Sequence, residues 1–431
     1  MLKRIIKKII PKRILSNYHY FLSQTASWYY HNPSQELIVI GVTGTNGKTT
    51  TVNIISQLLE CLGKKTGLAS TVNFKVAEKE WLNDKKMTML GRWQTQKLLK
   101  EMVKANCQYV IIETSSQGIA QFRHKGINYD VLVFTNLTPE HIEAHGSFEK
   151  YREAKEELFK HLKKSKKKII AGQEINKIII SNNDDPETER LRKYKRAKFL
   201  TYAFNNKADY QGKELKLEKG LVSFSLNKKK IKTDFLGKFN AYNILASMVA
   251  VTSLRFDLNK IITCQLKTVA GRQEFIEEGQ NFKVLIDYAP EPESLKELYQ
   301  ALKNIPKKRL IHILGSCGGG RDVARRSVLG ALAAQTAEIV IITNEDPYDD
   351  NPLEIIDNVA QGALENNKIL NKNLFKVENR EEGIRKGLKL AEKDDLVLIT
   401  GKGAEQAICV AHGKKIDWDD RKVVKKILKT L

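Results

Sequence analysis

Lys48 and Thr49 follow Gly47 at the end of a glycine-punctuated turn, Gly41-Val42-Thr43-Gly44-Thr45-Asn46-Gly47, into which the apolar run Leu37-Ile38-Val39-Ile40 empties. Residues of these types at this spacing make a phosphate cradle. Glycines at 41, 44 and 47 let backbone N–H groups converge on an anion. The Lys48 ammonium adds a point charge toward β- and γ-phosphates, and the Thr49 hydroxyl is placed to ligate magnesium. The candidate nucleotide contacts are therefore Gly44, Thr45, Asn46, Gly47, Lys48, Thr49 and Thr50. The strict pattern G-x-x-x-x-G-K-[ST] asks for glycine at position 42, which is valine here, so the turn is a P-loop variant. Val52, Ile55, Leu58 and Leu59 follow at helical spacing, so strand, loop and helix agree.

A second group of residues has chemistry only in combination. Glu113 ends the apolar run Tyr109-Val110-Ile111-Ile112, where a P-loop protein keeps a second acidic ligand for the nucleotide's metal. His141 and His145 fall in the polar stretch after Phe134, and Lys155 lies in a segment of alternating charge. Taken singly, a loop histidine more often packs than ligates, and such a lysine reads as solvent-facing.

These residues need a sheet to hold them. Apolar runs at 109–112, 131–134 and 177–180 read as buried parallel strands ending in polar residues, the pattern of an α/β sheet with chemistry at its carboxyl edge. Residues 208–236 change to shorter alternating segments that suggest antiparallel strands, and a helix is expected over 241–251. After a junction near 267–274 the α/β rhythm restarts, with strands at 284–286, 310–314, 339–342 and 396–399. Two successive α/β domains follow a basic leader.

Composition narrows the function. The chain has 431 residues, 42% of them hydrophobic, and a formal charge of +23, which favours anionic partners such as nucleotides or phospholipid surfaces. Its basic runs, such as residues 163–168, are not interleaved with base-stacking aromatics, so nucleic acid is not expected. Five widely spaced cysteines without a C-x-x-C pair read as reduced thiols in a cytoplasmic chain. In the first residues Leu2, Ile5, Ile6 and Ile9 share one helical face and Lys3, Arg4, Lys7 and Lys8 the other, up to Pro11. The aromatic stretch Tyr18, Tyr20, Phe21, Leu22, Trp28, Tyr29 and Tyr30 comes next. Two readings stay open: an interfacial anchor at an anionic membrane, or packing on the chain's own body. No segment is long and apolar enough to span a bilayer.

Together the motifs resemble the Mur ligase family, and most closely its MurE branch. In chain order they are Gly44 to Thr49, Glu113-Thr114-Ser115-Ser116, Thr135-Asn136-Leu137-Thr138 with His141, Ala154-Lys155, Phe239-Asn240-Ala241-Tyr242-Asn243, Gly271-Arg272, Asp287-Tyr288-Ala289, Gly319-Gly320-Arg321-Asp322, and Gly401-Lys402-Gly403 with Glu405. The resemblance implies a P-loop central ATPase domain with a parallel sheet over 35–268 and a C-terminal Rossmann-like α/β domain over 269–431, after a basic amphipathic extension over 1–34. It implies an ATP-dependent ligase that adds an amino acid to a muramoyl-peptide carboxylate through an acyl phosphate in peptidoglycan synthesis. Thr49 and Glu113 would hold one Mg2+, and Glu113, His141 and a carbamylated Lys155 another. Carbamylation turns an ammonium that repels the metal into an anionic oxygen ligand. Asn240 and Asn243 would meet adenine, Arg272 the phosphates and Asp287 the ribose. Thr88, Ser115 and Ser116 would face the muramoyl substrate, with Arg321, Asp346, Tyr348, Gly401 and Glu405 around the amino acid. A monomer is expected.

Three departures qualify the likeness. Enzymes of this branch carry an N-terminal domain that grips UDP, whereas about 35 residues precede the P-loop strand here, so a UDP-linked and a lipid-linked acceptor both stay open. The family's Asp-Tyr-Ala-His is Asp287-Tyr288-Ala289-Pro290. The Asp-Asn-Pro-Arg of diaminopimelate-adding members is Glu345-Asp346-Pro347-Tyr348, which removes a bidentate arginine and leaves two carboxylates. On that basis diaminopimelate is disfavoured and an amine-ended side chain such as lysine or ornithine is expected. The alternatives are a lipid II-modifying or folylpolyglutamate-type ligase of the same superfamily, or a non-ligase P-loop NTPase, for which His141 and Lys155 would have no use.

Overall fold

A computed structural model describes residues 12–139, 145–194 and 197–431. The P-loop strand Ile38–Thr43 lies inside a nine-stranded sheet. On one side of it come Val131–Phe134, Ile178–Asn182, Lys198–Ala203 and Tyr210–Gln211. On the other come Tyr109–Glu113, Thr66–Ala69, Asn73–Val76 and Lys79–Leu82. The six strands from Lys198–Ala203 to Thr66–Ala69 pair in parallel, and the last two are antiparallel additions at the edge. Parallel pairing explains why the central runs are apolar without alternation, since both faces are covered. One face packs on Ile54, Leu58 and Leu245, the other on Leu99, Met102 and Phe159.

Register sets the site. Val42 stands opposite Glu113, and Thr43 opposite Phe134, so the carboxyl ends of three strands finish level, just before Gly44. Helix Lys48–Cys61 leaves the P-loop and packs on helix Lys238–Ser253, where Ser247 Oγ donates to Thr51 O at 3.2 Å. The latter helix is buried without a break from Asn243 through Val251, which accounts for its lack of a polar stripe. At the amino end of the sheet Asp130 accepts from Lys168 at 2.6 Å and Lys177 at 2.9 Å, all three buried. That ionic cluster faces away from the carboxyl edge and ties strands together.

The three-stranded antiparallel sheet Lys213–Glu218, Leu221–Leu226 and Lys229–Leu236 follows, as its alternating pattern suggests. The second α/β unit has six strands in the order Glu274–Ile276, Lys283–Ile286, Leu396–Ile399, Leu310–Leu314, Ile339–Thr343 and Leu374–Val377, antiparallel only at the first pair.

Two expectations change. Cys61 and Cys264 form a disulfide across 203 residues of sequence, so the thiols are not all reduced; Cys107, Cys317 and Cys409 are free. Spacing could not show this pairing, because it arises where the end of helix Lys48–Cys61 meets the segment after helix Leu258–Ile262. The amphipathic pattern of residues 2–9 lies outside the described residues. The aromatic stretch beyond it is helical over Lys12–Tyr29, and one side of that helix packs on the chain's own body. Ser23, Ala26 and Ser27 are buried, and Ser27 Oγ donates to Gly126 O at 3.1 Å. Phe21 (65% exposed) and Trp28 (75%) face outward with Tyr18, Tyr20 and Tyr29. Among the described residues no helix is long and apolar enough to cross a membrane.

Candidate active site

Between the carboxyl edges of the two sheets lies a cleft of about 890 Å3. Thr45 through Thr50 form part of its wall. Lys48 begins the helix, and its ammonium donates to Thr45 O at 2.6 Å, so the side chain folds back over the loop. Gly44 and Gly47 are needed for close approach: a Cβ at 44 would meet Thr135 Oγ1 at 1.9 Å, and one at 47 would meet Asn243 Oδ1 at 2.1 Å. Asn46 N donates to Asn136 Oδ1 at 2.9 Å, and Thr135 Oγ1 to Asn46 O at 2.7 Å. The loop after strand Val131–Phe134 thus fixes the cradle from beside it.

Thr49 Oγ1 sits 3.1 and 3.0 Å from the two Glu113 oxygens. Glu113 is 2% exposed and also accepts from Thr71 N at 2.8 Å, and Thr71 Oγ1 donates to Thr88 Oγ1 at 3.0 Å. A hydrogen-bonded line therefore runs from the P-loop hydroxyl to a residue expected to face the acceptor. Lys155 is 3% exposed, and its ammonium donates to Gly44 O at 2.6 Å and lies 4.5 Å from the Tyr151 ring centre. The solvent-facing reading of this lysine taken alone does not hold. Thr49, in the first turn of the helix after the P-loop, and Glu113, at a strand end, are hard oxygen donors, which suits Mg2+. His141 lies outside the described residues.

Ser115 caps the short helix Ser116–Ala120, and Ser116 Oγ lies 3.1 Å from His145 Nε2. Burial, with Lys155 adding to it, lowers the His145 pKa below the ordinary histidine value, which favours the neutral ring. Asn243 Nδ2 donates to Asn240 Oδ1, and Asn240 Nδ2 to Gln273 Oε1 at 2.7 Å, linking the helix behind the P-loop to the junction segment. Arg272 stacks over the Tyr288 ring at 4.3 Å. Asp287 accepts from Gln273 N at 2.8 Å; burial raises its carboxyl pKa and Arg272 counters part of that. Asn240, Asn243, Arg272 and Asp287 all line the cleft.

On the second sheet's side, Arg321, Asp346, Tyr348 and Glu405 line the cleft with Thr88, Ser115 and Ser116. Gly401 stands behind that wall: a Cβ there would meet Glu345 Oε2 at 2.3 Å. Of the two carboxylates expected to await a cationic side chain, Asp346 is already paired with lysines, whereas Glu345 meets a thiol. Burial raises the Glu345 pKa, and the Cys317 thiol donates to its Oε1 at 2.8 Å. Asp346 accepts from Lys402 at 2.9 Å and from Lys86 at 2.6 Å; burial alone would raise its pKa, but the two cations hold it below the usual carboxylate range. Nothing in the spacing around Lys86 marked it as a cleft residue.

The alternative of a non-ligase P-loop NTPase meets one tetrapeptide. Asn206-Lys207-Ala208-Asp209 matches the guanine-reading pattern Asn-Lys-x-Asp. Asp209 Oδ2, however, accepts from Thr201 N at 2.8 Å and Thr201 Oγ1 at 2.7 Å, bracing a strand end.

Residues 42–251 match the Mur ligase middle domain, and residues 271–403 match the Mur ligase glutamate ligase domain. The chain is 33% identical over 428 residues to the UDP-N-acetylmuramoyl-L-alanyl-D-glutamate–2,6-diaminopimelate ligase of Geobacillus kaustophilus, covering 97% of this chain and 84% of that one. It is 34% identical over 411 residues to the ligase 1 of the same name from Clostridium acetobutylicum, covering 94% and 80%. A solved structure of a ligase of that name superposes with a TM-score of 0.63 at 26% identity, over 95% of this chain and 83% of that one.

Proposed function

The chain belongs to the Mur ligase family, and from that premise we propose that its cleft joins a free amino acid to the carboxylate of a muramoyl peptide. It is an ATP-dependent ligase that forms an amide bond, of the kind that serves peptidoglycan synthesis. Residues 35–268 supply the nucleotide and peptide side, residues 269–431 the amino-acid side, and residues 1–34 precede both. The observation that carries the reading is the meeting, in one cleft, of Thr49, Glu113 and the Lys155-braced P-loop with Arg321, Asp346 and Glu405.

A carboxylate is a poor electrophile, so activation must come before amide formation. The γ-phosphoryl group passes from ATP to the peptide carboxylate, the bond to ADP breaks, and the amino acid's amine then displaces phosphate from the acyl phosphate. Lys48 and the loop N–H groups balance charge on the phosphates, Arg272 reaches them from the junction, and Thr88, Ser115 and Ser116 orient the peptide end. Mg2+ held by Thr49, Glu113, His141 and carbamylated Lys155 would neutralise charge on the transferring oxygens. Asn240 and Asn243 serve the adenine and Asp287 the ribose. Amino-acid-dependent ADP release is expected with UDP-muramoyl dipeptide or its lipid-linked counterpart, assayed in parallel. ADP release indifferent to both carriers and to every amino acid would overturn the reading.

The exposed aromatics of helix Lys12–Tyr29, preceded in sequence by the basic residues Lys3, Arg4, Lys7 and Lys8, support a peripheral contact with the anionic inner face of the membrane from the cytoplasm. The full chain is expected to float with vesicles containing phosphatidylglycerol, and Phe21→Ser with Trp28→Ser to lower the floated fraction about five-fold. Equal recovery of both proteins in the soluble fraction would remove the membrane from the account.

A further inference from the structure

Asn83 is the first residue after the edge strand Lys79–Leu82, and it is 3% exposed. Its backbone N–H donates to Val72 O at 2.8 Å, which seats it against the turn between strands Thr66–Ala69 and Asn73–Val76. The carboxamide Nδ2 donates to Ser70 O at 2.8 Å and to Met87 O at 3.0 Å, while Oδ1 accepts from Lys85 N at 2.9 Å. Two acceptors on one side and a donor on the other leave the amide this orientation alone.

Ser70 and Met87 immediately precede Thr71 and Thr88. One NH2 group thus holds the carbonyls before both threonines, and the threonine hydroxyls meet at 3.0 Å. Thr71 N is fixed in turn by Glu113 Oε2 at 2.8 Å. A closed ring results, from Asn83 through Ser70, Thr71, Thr88 and Met87 back to Asn83, with Glu113 tied to one threonine and the cleft lined by the other. Because Thr71 Oγ1 donates to Thr88 Oγ1, the Thr88 proton is left for a group in the cleft. Ser70 is pinned from behind: its hydroxyl donates to Asn73 Oδ1 at 2.6 Å, Asn73 Nδ2 to Asn53 Oδ1 at 2.9 Å, and Asn53 Nδ2 to Thr49 O at 2.9 Å. The ring therefore stands on the first turn of helix Lys48–Cys61. A side chain needed only to keep residues 83–88 folded would bond within them, to Lys85 N and Met87 O. The bond to Ser70 O leaves that loop for the turn that carries Thr71.

We propose that Asn83 is a positioning residue for phosphoryl transfer: it holds Thr88 at a set distance from Glu113, and so the peptide carboxylate from the transferring phosphate, while touching neither. The inference rests on the ligase reading above. Asn83→Ala removes both donors and should lower kcat/KM for the muramoyl dipeptide that the wild type turns over, UDP- or lipid-linked, about 100-fold, since a displacement of about 1 Å suffices for that. The rate is read as amino-acid-dependent ADP release. ADP affinity by calorimetry should stay within about two-fold, with the same number of sites per chain. Thr88→Val should itself lose about ten-fold or more, and the double variant should be no more than about three-fold slower than the slower single one, because residues that act as one unit do not lose twice. Asn83→Ser, which keeps one donor and vacates less space, gives the same reading should the alanine variant be unstable. Single losses that multiply, an Asn83→Ala enzyme within about three-fold of wild type, a Thr88→Val enzyme as fast as wild type, or activity that falls only in step with the number of ADP sites in both Asn83 variants, the mark of a residue that merely holds the fold, each overturns the proposal alone. No amino-acid-dependent ADP release from the wild type overturns the ligase reading and this with it.

Discussion

Glu113→Gln is expected to lower amino-acid-dependent ADP release about 1,000-fold, with the thermal midpoint nearly unmoved. The substitution keeps the shape of a side chain that is 2% exposed and removes only its charge and one acceptor oxygen. Glu113 does three things in the folded chain: it holds the Thr49 hydroxyl through both oxygens, it accepts from Thr71 N, and it brings the carboxylate that strand pairing sets level with Val42. A carboxamide with its oxygen in the place of Oε2 can still accept from both Thr49 Oγ1 and Thr71 N, its NH2 taking the place of Oε1 beside the Thr49 hydroxyl. It cannot supply the negative charge that draws a divalent cation to the phosphates. The loss should therefore fall on kcat and on the Mg2+ concentration needed for half-maximal rate, more than on the amino acid's KM. Activity within about ten-fold of wild type at saturating Mg2+ would remove Glu113 from the phosphoryl-transfer centre.

The residues whose roles depend on a strand end were legible because a buried parallel strand leaves a plain signature. Ile38–Thr43, Tyr109–Glu113 and Val131–Phe134 are apolar and largely β-branched, and each ends at or just before a polar residue that lines the cleft, Thr45, Glu113 and Thr135. Thr66–Ala69, Asn73–Val76 and Lys79–Leu82 gave no such signal: four residues each, broken by Gly67 or bearing Lys75, Lys79 and Glu80, they are strands because the sheet offers an edge to pair with. Lys86 was hidden for the same reason, since its role comes from where that edge delivers the following loop. The expectation of an amine-ended amino acid was formed without this pair in view: the carboxylate of Asp346 is plain in the sequence, the ammonium that meets it lies 260 residues away. The Cys61–Cys264 pair is equally long-range. Lys155 is different, because its burial was written locally. Tyr151, Lys155, Leu158 and Leu162 are spaced four, three and four apart, the stripe by which helix Phe148–Lys164 packs on the sheet, and the lysine interrupts it. A charge inside an apolar stripe is a buried charge, whatever the alternation around it.

That buried lysine carries the second large expected effect. Beside Gly44 O and the Tyr151 ring, Lys155 is near enough to the P-loop to serve the nucleotide's metal, yet an ammonium there would repel a divalent cation. On the proposed reading its uncharged amine adds to CO2, forming an N–C bond and releasing one proton to solvent, and the carbamate would offer Mg2+ an oxygen ligand. Lys155→Ala should cost about 100- to 1,000-fold in ADP release, and millimolar acetate or propionate should restore a measurable part by placing a free carboxylate in the space the side chain vacates. Lys155→Arg should be as slow as the alanine variant and not respond, because a guanidinium neither reacts with CO2 nor leaves room for the carboxylate. Wild-type protein equilibrated with 13C-bicarbonate should show one carbamate carbonyl resonance that is absent from both variants. An arginine variant with near-normal turnover would mean that position 155 needs only a cation against Gly44 O. In that case the role of Lys155 is to brace the loop, and the metal must be held by Thr49, Glu113 and His141 without it.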